Sequence, residues 1–193
     1  MRSARLLALA VTTAALTACG TPTVTSTPDA DTAAEEAAIS KPSEGESSAG
    51  STKPKPAGIG DAITLTGSDE GLKIAVSVVK VIKNGKAPNE IQNAQAGKRL
   101  YGVELVLKNV GTATYDDSPS NGAKVIDSEG QEHDPSLFGE IAGTTQLKST
   151  TIAPGDKRRG VLVFEVPAKA KIERLQFALN SGFADQKGVW AVG

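Results

Sequence analysis

From residue 58 onward, apolar and polar residues alternate with a period of two, the signature of half-buried β-strands. Ile63 and Leu65 alternate with Thr64 and Thr66, and Leu72, Ile74, Val76 and Val78 with Lys73, Ala75 and Ser77. At Val78-Val79 the pattern slips by one residue and continues through Val81. Such a slip would turn the apolar set to the other face, so a β-bulge or bend is expected there. Asn84-Gly85 then reads as a turn dipeptide ending the strand. Further strands are predicted over 101–108, 123–126, 161–166, 172–179 and 189–192. Asp127-Ser128-Glu129-Gly130 and Pro154-Gly155-Asp156 carry turn chemistry between them. Residues 172–179 also fit a helix through Ile172, Leu175 and Leu179, but the surrounding strands favour the strand set Leu175, Phe177 and Leu179. Residues 84–97, 111–122 and 134–150 read as long loops, with one short helical turn expected around Ser136–Glu140. About seven short strands separated by turn signals predict an all-β, antiparallel, immunoglobulin-like sandwich over residues 58–193.

The first third of the chain has a different pattern. All seven aromatic residues and the single histidine lie after residue 58, so the core must be there. Residues 20–57 are rich in Thr, Pro, Ser, Ala, Glu and Gly, with only Val24 and Ile39 as sizeable apolar groups. That composition does not repay its ordering entropy and predicts a disordered tether over 19–57. As a coil it would span about 35 Å, and about 125 Å fully stretched.

Before the tether, Arg2 and Arg5 precede an apolar run, Leu6 to Leu16, interrupted only by Thr12 and Thr13. As a helix this run is about 16 Å long, against a hydrocarbon core of about 30 Å, so it reads as a secretory signal. Leu16-Thr17-Ala18-Cys19 resembles the lipobox of bacterial lipoproteins. The resemblance implies cleavage between Ala18 and Cys19, a diacylglyceryl thioether on Cys19, and location on the extracytoplasmic face of the cell membrane. Two acyl chains suffice for stable anchoring. Cys19 is the only cysteine, so the domain is expected to hold together by packing, without a disulfide.

Charge narrows the function. Residues 58–193 carry 16 Lys/Arg and 16 Asp/Glu, which leaves no global field to attract a polyanion, and nucleic acid is not expected as a partner. His133 lies among Asp127, Glu129, Glu132 and Asp134, so Asp127, His133 and Asp134 are the candidate metal ligands. The spacing is not that of an EF-hand, and no second His or Cys completes a zinc site; a solvated acidic hairpin is the favoured reading. No cofactor is expected. Lys98-Arg99 and Lys157-Arg158-Arg159 are basic clusters at strand starts: either a binding patch or charges protecting strand ends. One histidine, no Gly-x-Ser-x-Gly turn and a lipidated cysteine leave no recognisable catalytic set, and the chain is not expected to be an enzyme.

The run Gly97-Lys98-Arg99-Leu100-Tyr101, the strand Val103 to Gly111, Asp127 to Gly130, Ala153 to Lys157 and Gly160 to Pro167 resemble one group of bacterial exported domains of unknown function. These are immunoglobulin-like, called telokin-like or related to an immunoprotective extracellular antigen, and often follow a lipobox and a linker. The resemblance covers roughly residues 59–193 and implies the fold, with no catalytic residues to carry over. The expected function is a lipid-anchored module that binds a protein or small ligand through its loops. A solute- or metal-binding lipoprotein serving a transporter is the alternative, and an exported hydrolase the third.

Overall fold

The computed structural model describes residues 23–25 and 55–193. The signal peptide expected over 1–18, the cleavage expected between Ala18 and Cys19, and most of the expected tether lie outside the described residues. Among the described residues eleven strands are formed: β1 Thr23–Thr25, β2 Ala62–Thr66, β3 Lys73–Gly85, β4 Lys98–Asn109, β5 Tyr115–Asp117, β6 Ala123–Asp127, β7 Glu132–His133, β8 Thr150–Ile152, β9 Lys157–Pro167, β10 Ile172–Ala178 and β11 Lys187–Ala191. Short 3-10 turns stand at Pro119–Gly122 and Asn180–Gly182.

The strands form one sheet of order β1-β2-β3-β4-β9, a second of order β11-β10-β6-β7, and the small pair β5-β8, all antiparallel. This is the antiparallel β-sandwich that the alternation predicts. The seven expected strands are β2, β3, β4, β6, β9, β10 and β11, and 172–179 is strand over most of its length. The inner faces supply one core: Leu65, Ile74, Val76, Val103, Leu105, Leu107 and Phe164 from one sheet against Val125, Leu175, Phe177 and Trp190 from the other. The expected slip in β3 is a register irregularity between Val78 and Lys80 where β3 pairs with β4. Val78 is buried before it and Val81 packs on the same core after it, so the extra residue keeps the apolar set facing inward.

Three local expectations are corrected. Asn84-Gly85 does not turn the chain, because β3 runs through Gly85. Gly85 is needed for room: a Cβ there would stand 2.4 Å from Ile141 Cγ1. No helical turn forms at Ser136–Glu140; instead Pro135 bridges Phe164 of β9. Thr23–Thr25, which composition assigns to the tether, pairs with β2 in the register Thr23↔Thr64, Val24↔Ile63, Thr25↔Ala62. Ala57 bonds Val189 and Ala191 of β11 (2.9 and 2.8 Å) before the chain crosses to β2 in the other sheet.

A buried Tyr115 in β5 leaves its hydroxyl without a hydrogen-bond partner. Burial, helped by Asp117 and Asp116, raises its phenol well above the ordinary value. An unpaired buried hydroxyl costs more than it returns, so Tyr115→Phe is expected to leave stability unchanged or to raise it by up to about 1 kcal/mol. Thermal melts of the two proteins test this; a loss of more than about 1 kcal/mol would mean that the hydroxyl has a partner.

Candidate functional site

The outer face of the larger sheet explains where the long loops go. Strand β9 carries a continuous apolar run, Val161-Leu162-Val163-Phe164, with every residue buried. Leu162 and Phe164 belong to the main core, whereas Val161 and Val163 form a second cluster with Leu100 and Ile141, flanked by Ile82, Ala87 and Ala94. A strand apolar on both sides needs cover on both sides. Residues 86–97 and 134–149 provide it on the outer face. Their backbones join at Ala142 N to Lys86 O (2.8 Å) and Glu140 N to Gln92 O (3.4 Å). The second loop also bonds the free side of β9: Ser136 N donates to Val163 O (2.7 Å), Leu147 N to Val161 O (3.0 Å), and Val161 N to Thr145 O (2.8 Å). Within the loop, Gln146 Nε2 donates to Gly139 O (3.0 Å) and Gly139 N to Ser136 Oγ (2.9 Å).

The third long loop reaches the same place. Residues 118–121 and 134–149 wall an open cleft of about 790 Å³, with Val161–Val163 among its lining residues. Ser118, Ser120, Asn121, Ser136 and Gln146 supply neutral donors and acceptors, while Asp134, Glu140 and Lys148 supply charge. Leu137 lines the cleft, yet it is 91% exposed; Phe138 beside it is 74% exposed, and Ile91, one residue from Gln92, is 87% exposed. Three large apolar side chains held out on two hydrogen-bonded loops are unlike the sealed core beneath them.

The 118–122 wall is held by Asp117, whose carboxylate accepts bonds from Ser118 N (2.7 Å), Ser181 N (2.6 Å) and Ser181 Oγ (2.6 Å). Asn180 and Ser181 adopt left-handed φ values of 52° and 53°, which cost a non-glycine residue energy. The Asp117 bonds and the bond from Ser68 N to Asn180 Oδ1 (2.8 Å) hold them there. No sequence signal marks this pairing of residues 117 and 181, since it depends on two loops meeting.

The candidate metal ligands divide. Asp127 and His133 come together across the β6–β7 hairpin, with His133 Nε2 3.0 Å from Asp127 Oδ2. The other carboxylate oxygen of Asp127 accepts Glu129 N (3.0 Å) and Gln131 N (2.9 Å), building the turn in which Gly130 takes φ 81°. Asp134 stands apart, 78% exposed and 4.0 Å from Lys124 Nζ. Among the described residues no group of three or more His, Cys, Asp or Glu side chains is placed to hold a metal. Asp127 therefore organises a hairpin. The His133 bond, aided by the two backbone bonds, holds its carboxyl below the usual range.

A carboxyl depressed in the folded state stabilises it above the ordinary carboxylate pKa, and that contribution is lost as the pH falls through the folded-state value. Asp127→Asn keeps the oxygen that accepts the turn amides but loses the charge facing His133. The melting temperatures of the two proteins are expected to differ at neutral pH and to converge as the pH drops below about 4. Parallel melting curves from pH 7 into acid would rule this out.

The basic clusters do not form one patch. Strands β4 and β9 are antiparallel, with Lys98 opposite Pro167 and Lys108 opposite Lys157. Lys98-Arg99 and Lys157-Arg158-Arg159 thus lie at opposite ends of the sheet, roughly 33 Å apart along ten residues of strand. Lys98 pairs with Glu165 (3.4 Å) and Arg159 with Glu104 (2.7 Å). Arg99 donates to the carbonyls of Lys83 in β3 and of Ala168 (3.3 Å) and Ala170 (2.8 Å) in the β9–β10 turn, and its guanidinium lies 5.3 Å from the Tyr101 ring centre. Tyr101 is buried and donates to Val192 O (2.5 Å); burial pushes its phenol up to about 12 against the pull of Arg99.

A family model described as a domain of unknown function, DUF4352, matches residues 67–188, more than half of the sequence. The chain belongs to the DUF4352 family. The DUF4352 segment runs from the β2–β3 connection into β11, so it contains all three long loops, including the two that wall the cleft, and omits β1, β2 and Trp190. No curated protein matches the sequence. The fold is similar to that of MPT63, a secreted protein from Mycobacterium tuberculosis, with TM-score 0.51 and 14% identity over 73% of this chain and 99% of that one. The yjhA protein from Bacillus subtilis gives TM-score 0.48 at 18% identity, over 71% of this chain and 99% of the other. An uncharacterized β-sandwich protein from Clostridium difficile 630 gives 0.40 at 12%, over 75% and 99%. At such identities the likeness to MPT63 is one of fold. No helix among the described residues is long and apolar enough to cross a membrane.

Proposed function

We propose that this DUF4352 chain is a non-catalytic binding module on the extracytoplasmic face of a bacterial cell membrane, held there by a lipid on Cys19. The observation that carries the binding role is the convergence of two separate loops, 118–121 and 134–149, on one open cleft over β9, rimmed by Leu137 and its exposed neighbour Phe138. A rigid sheet presenting a loop-built cleft is a common arrangement for recognition. The mix of neutral polar rim and exposed apolar tips suits an extended protein segment better than a metal ion or a phosphate. The single histidine faces Asp127 in a hairpin, which speaks against its use as a catalytic base. The Leu16-Thr17-Ala18-Cys19 sequence supports the anchor.

Two experiments test the halves of this reading separately. Cys19→Ser is expected to release the protein from the membrane fraction under a high-salt wash; unchanged retention after that wash would refute the anchor. Photocrosslinking from position 137 of the full chain in its own membranes should give a discrete adduct, lost when Phe138→Asp is added. A crosslinker at exposed Lys169, in the β9–β10 turn and outside the cleft lining, should give none. Equal labelling from both positions, or no adduct at 137, would refute the cleft as a binding site.

A further inference from the structure

Strand β1 gives the sandwich an orientation relative to the anchor, and this inference rests on the reading of Cys19 as the lipid site. Because β1 is antiparallel to β2, the chain coming from Cys19 arrives at Thr23, opposite Thr64, and runs toward Ala62. Three residues lie between Cys19 and Thr23, so over four chain steps the anchor lies within about 14 Å of the β1 start, off the Thr66 end of β2. That end of the sheet is where β3 begins at Lys73, opposite Thr66, where β4 reaches Lys108, and where β9 begins at Lys157, opposite Lys108.

Side chains alternate along a strand, and Ile74, Leu105 and Leu107 are buried in the core. Lys73 and Lys108 therefore point to the outer face, as does Lys157, the cross-strand partner of Lys108, and all three are exposed. Further along the same face stand Lys80 and Arg159, with Glu104 between them. Elsewhere Lys98, Lys124, Arg159 and Lys171 each have a carboxylate within 4.0 Å. Among the described residues Lys73, Lys108 and Lys157 make no ion pair. The acids at this end, Asp69, Glu70 and Asp156, stand in the turns and bridge none of the three. Like charges directly opposite each other on neighbouring strands are unfavourable, so the Lys108–Lys157 pair weakens the sheet unless an anion meets it. The loops that cover the outer face pack on Val161, Val163 and Leu100, and Lys73, Lys108 and Lys157 stay exposed beyond them.

We propose that the Lys73–Lys108–Lys157 end of the outer sheet face rests on anionic phospholipid headgroups, with the docked β1 holding it against the membrane. Each lysine near such a surface adds attraction that falls off within a Debye length.

The test uses the chain from residue 19 onward with Cys19→Ser, which retains every described residue and carries no lipid. It is sedimented with vesicles of phosphatidylglycerol and phosphatidylcholine in equal parts, or of phosphatidylcholine alone. Binding is expected to the mixed vesicles only and to fall as salt is added. Lys108→Glu with Lys157→Glu should weaken it by about tenfold or more. Lys83→Glu with Lys169→Glu, an equal charge change at the other end, should leave it unchanged. Lys108→Gln with Lys157→Gln gives the same ordering in a milder form if the reversed pair does not fold, which Trp190 emission reports. No binding to mixed vesicles, equal binding to neutral ones, or equal loss in both reversed pairs would overturn the proposal. Because the tested chain is unlipidated, failure here is distinct from failure of the Cys19 reading, which cell fractionation alone decides.

Discussion

Trp190→Ala is expected to be the most damaging single substitution in the domain, lowering stability by about 3–5 kcal/mol. The indole is fully buried between the sheets, and its Nε1 donates to Asp61 O at 3.1 Å. Its strand neighbours tie distant parts of the chain: Leu175 lies opposite it in β10, and Ala57 bridges it from the start of the domain. Gly188, two residues earlier on the same face, has room only for hydrogen, since a Cβ would stand 2.5 Å from the indole. Truncation would remove the contact that joins the first residues of the fold to the last strand. A domain of this size is typically stable by 5–15 kcal/mol, so the variant should be marginal. Urea denaturation followed by circular dichroism measures it. Trp190→Phe keeps most of the packing and should lose only about 1–2 kcal/mol. A loss below about 1 kcal/mol in the alanine variant would show that the site collapses around the gap.

Asn109→Ala should cost about 3 kcal/mol, for a different reason. Asn109 is fully buried, and its side chain acts as a knot. Its Nδ2 donates to Ala113 O (2.8 Å) and Ile152 O (2.9 Å), and its Oδ1 accepts Gly111 N (3.0 Å). Its backbone bonds Asp156 O (2.9 Å) and Gly155 N (3.0 Å). One residue thereby fixes the end of β4, the loop after it, strand β8 and the turn before β9. Alanine leaves two carbonyls without donors, and each unsatisfied buried group costs about 1–3 kcal/mol. Asn109→Asp keeps the shape but replaces both donors with a charge, and should fall at least as far. Trp190 emission in urea measures both variants cleanly, since it is the only tryptophan. A change under about 1 kcal/mol in both would mean that the loops rearrange to pair these groups elsewhere.

The seven long strands were legible because one face of each meets the core and imposes the period of two, and the bulge in β3 was legible as a slip in that period. Strands β5, β7 and β8 were not, since two or three residues such as Asp116-Asp117 or Thr150-Thr151 carry no alternation. Their pairing is set by neighbours such as Asn109, a polar residue whose role appears only once the loops meet. The β1 strand escaped because the composition around it argues for disorder. For the candidate site, the three loops were identifiable by length and turn residues, but their meeting was not. One signal did point to it: Val161 and Val163 make β9 apolar on its outer face too, which implies a covering layer there. The basic runs were visible, yet only the antiparallel register of β4 and β9 shows that they sit at opposite ends.

Under the lipid anchoring proposed above, the closing of the β9 edge by residues 136 and 145–147 has a consequence at high surface density. Copies fixed to a common plane meet far more often than the same number free in solution. Under those conditions an open strand edge invites sheet-to-sheet polymerisation. Here one edge of the larger sheet is occupied by the protein's own loop and the other by Thr23–Thr25. The domain can thus be crowded without stacking into fibres, and the weak point to watch is the three-residue strand, whose loss would expose β2 to a neighbour.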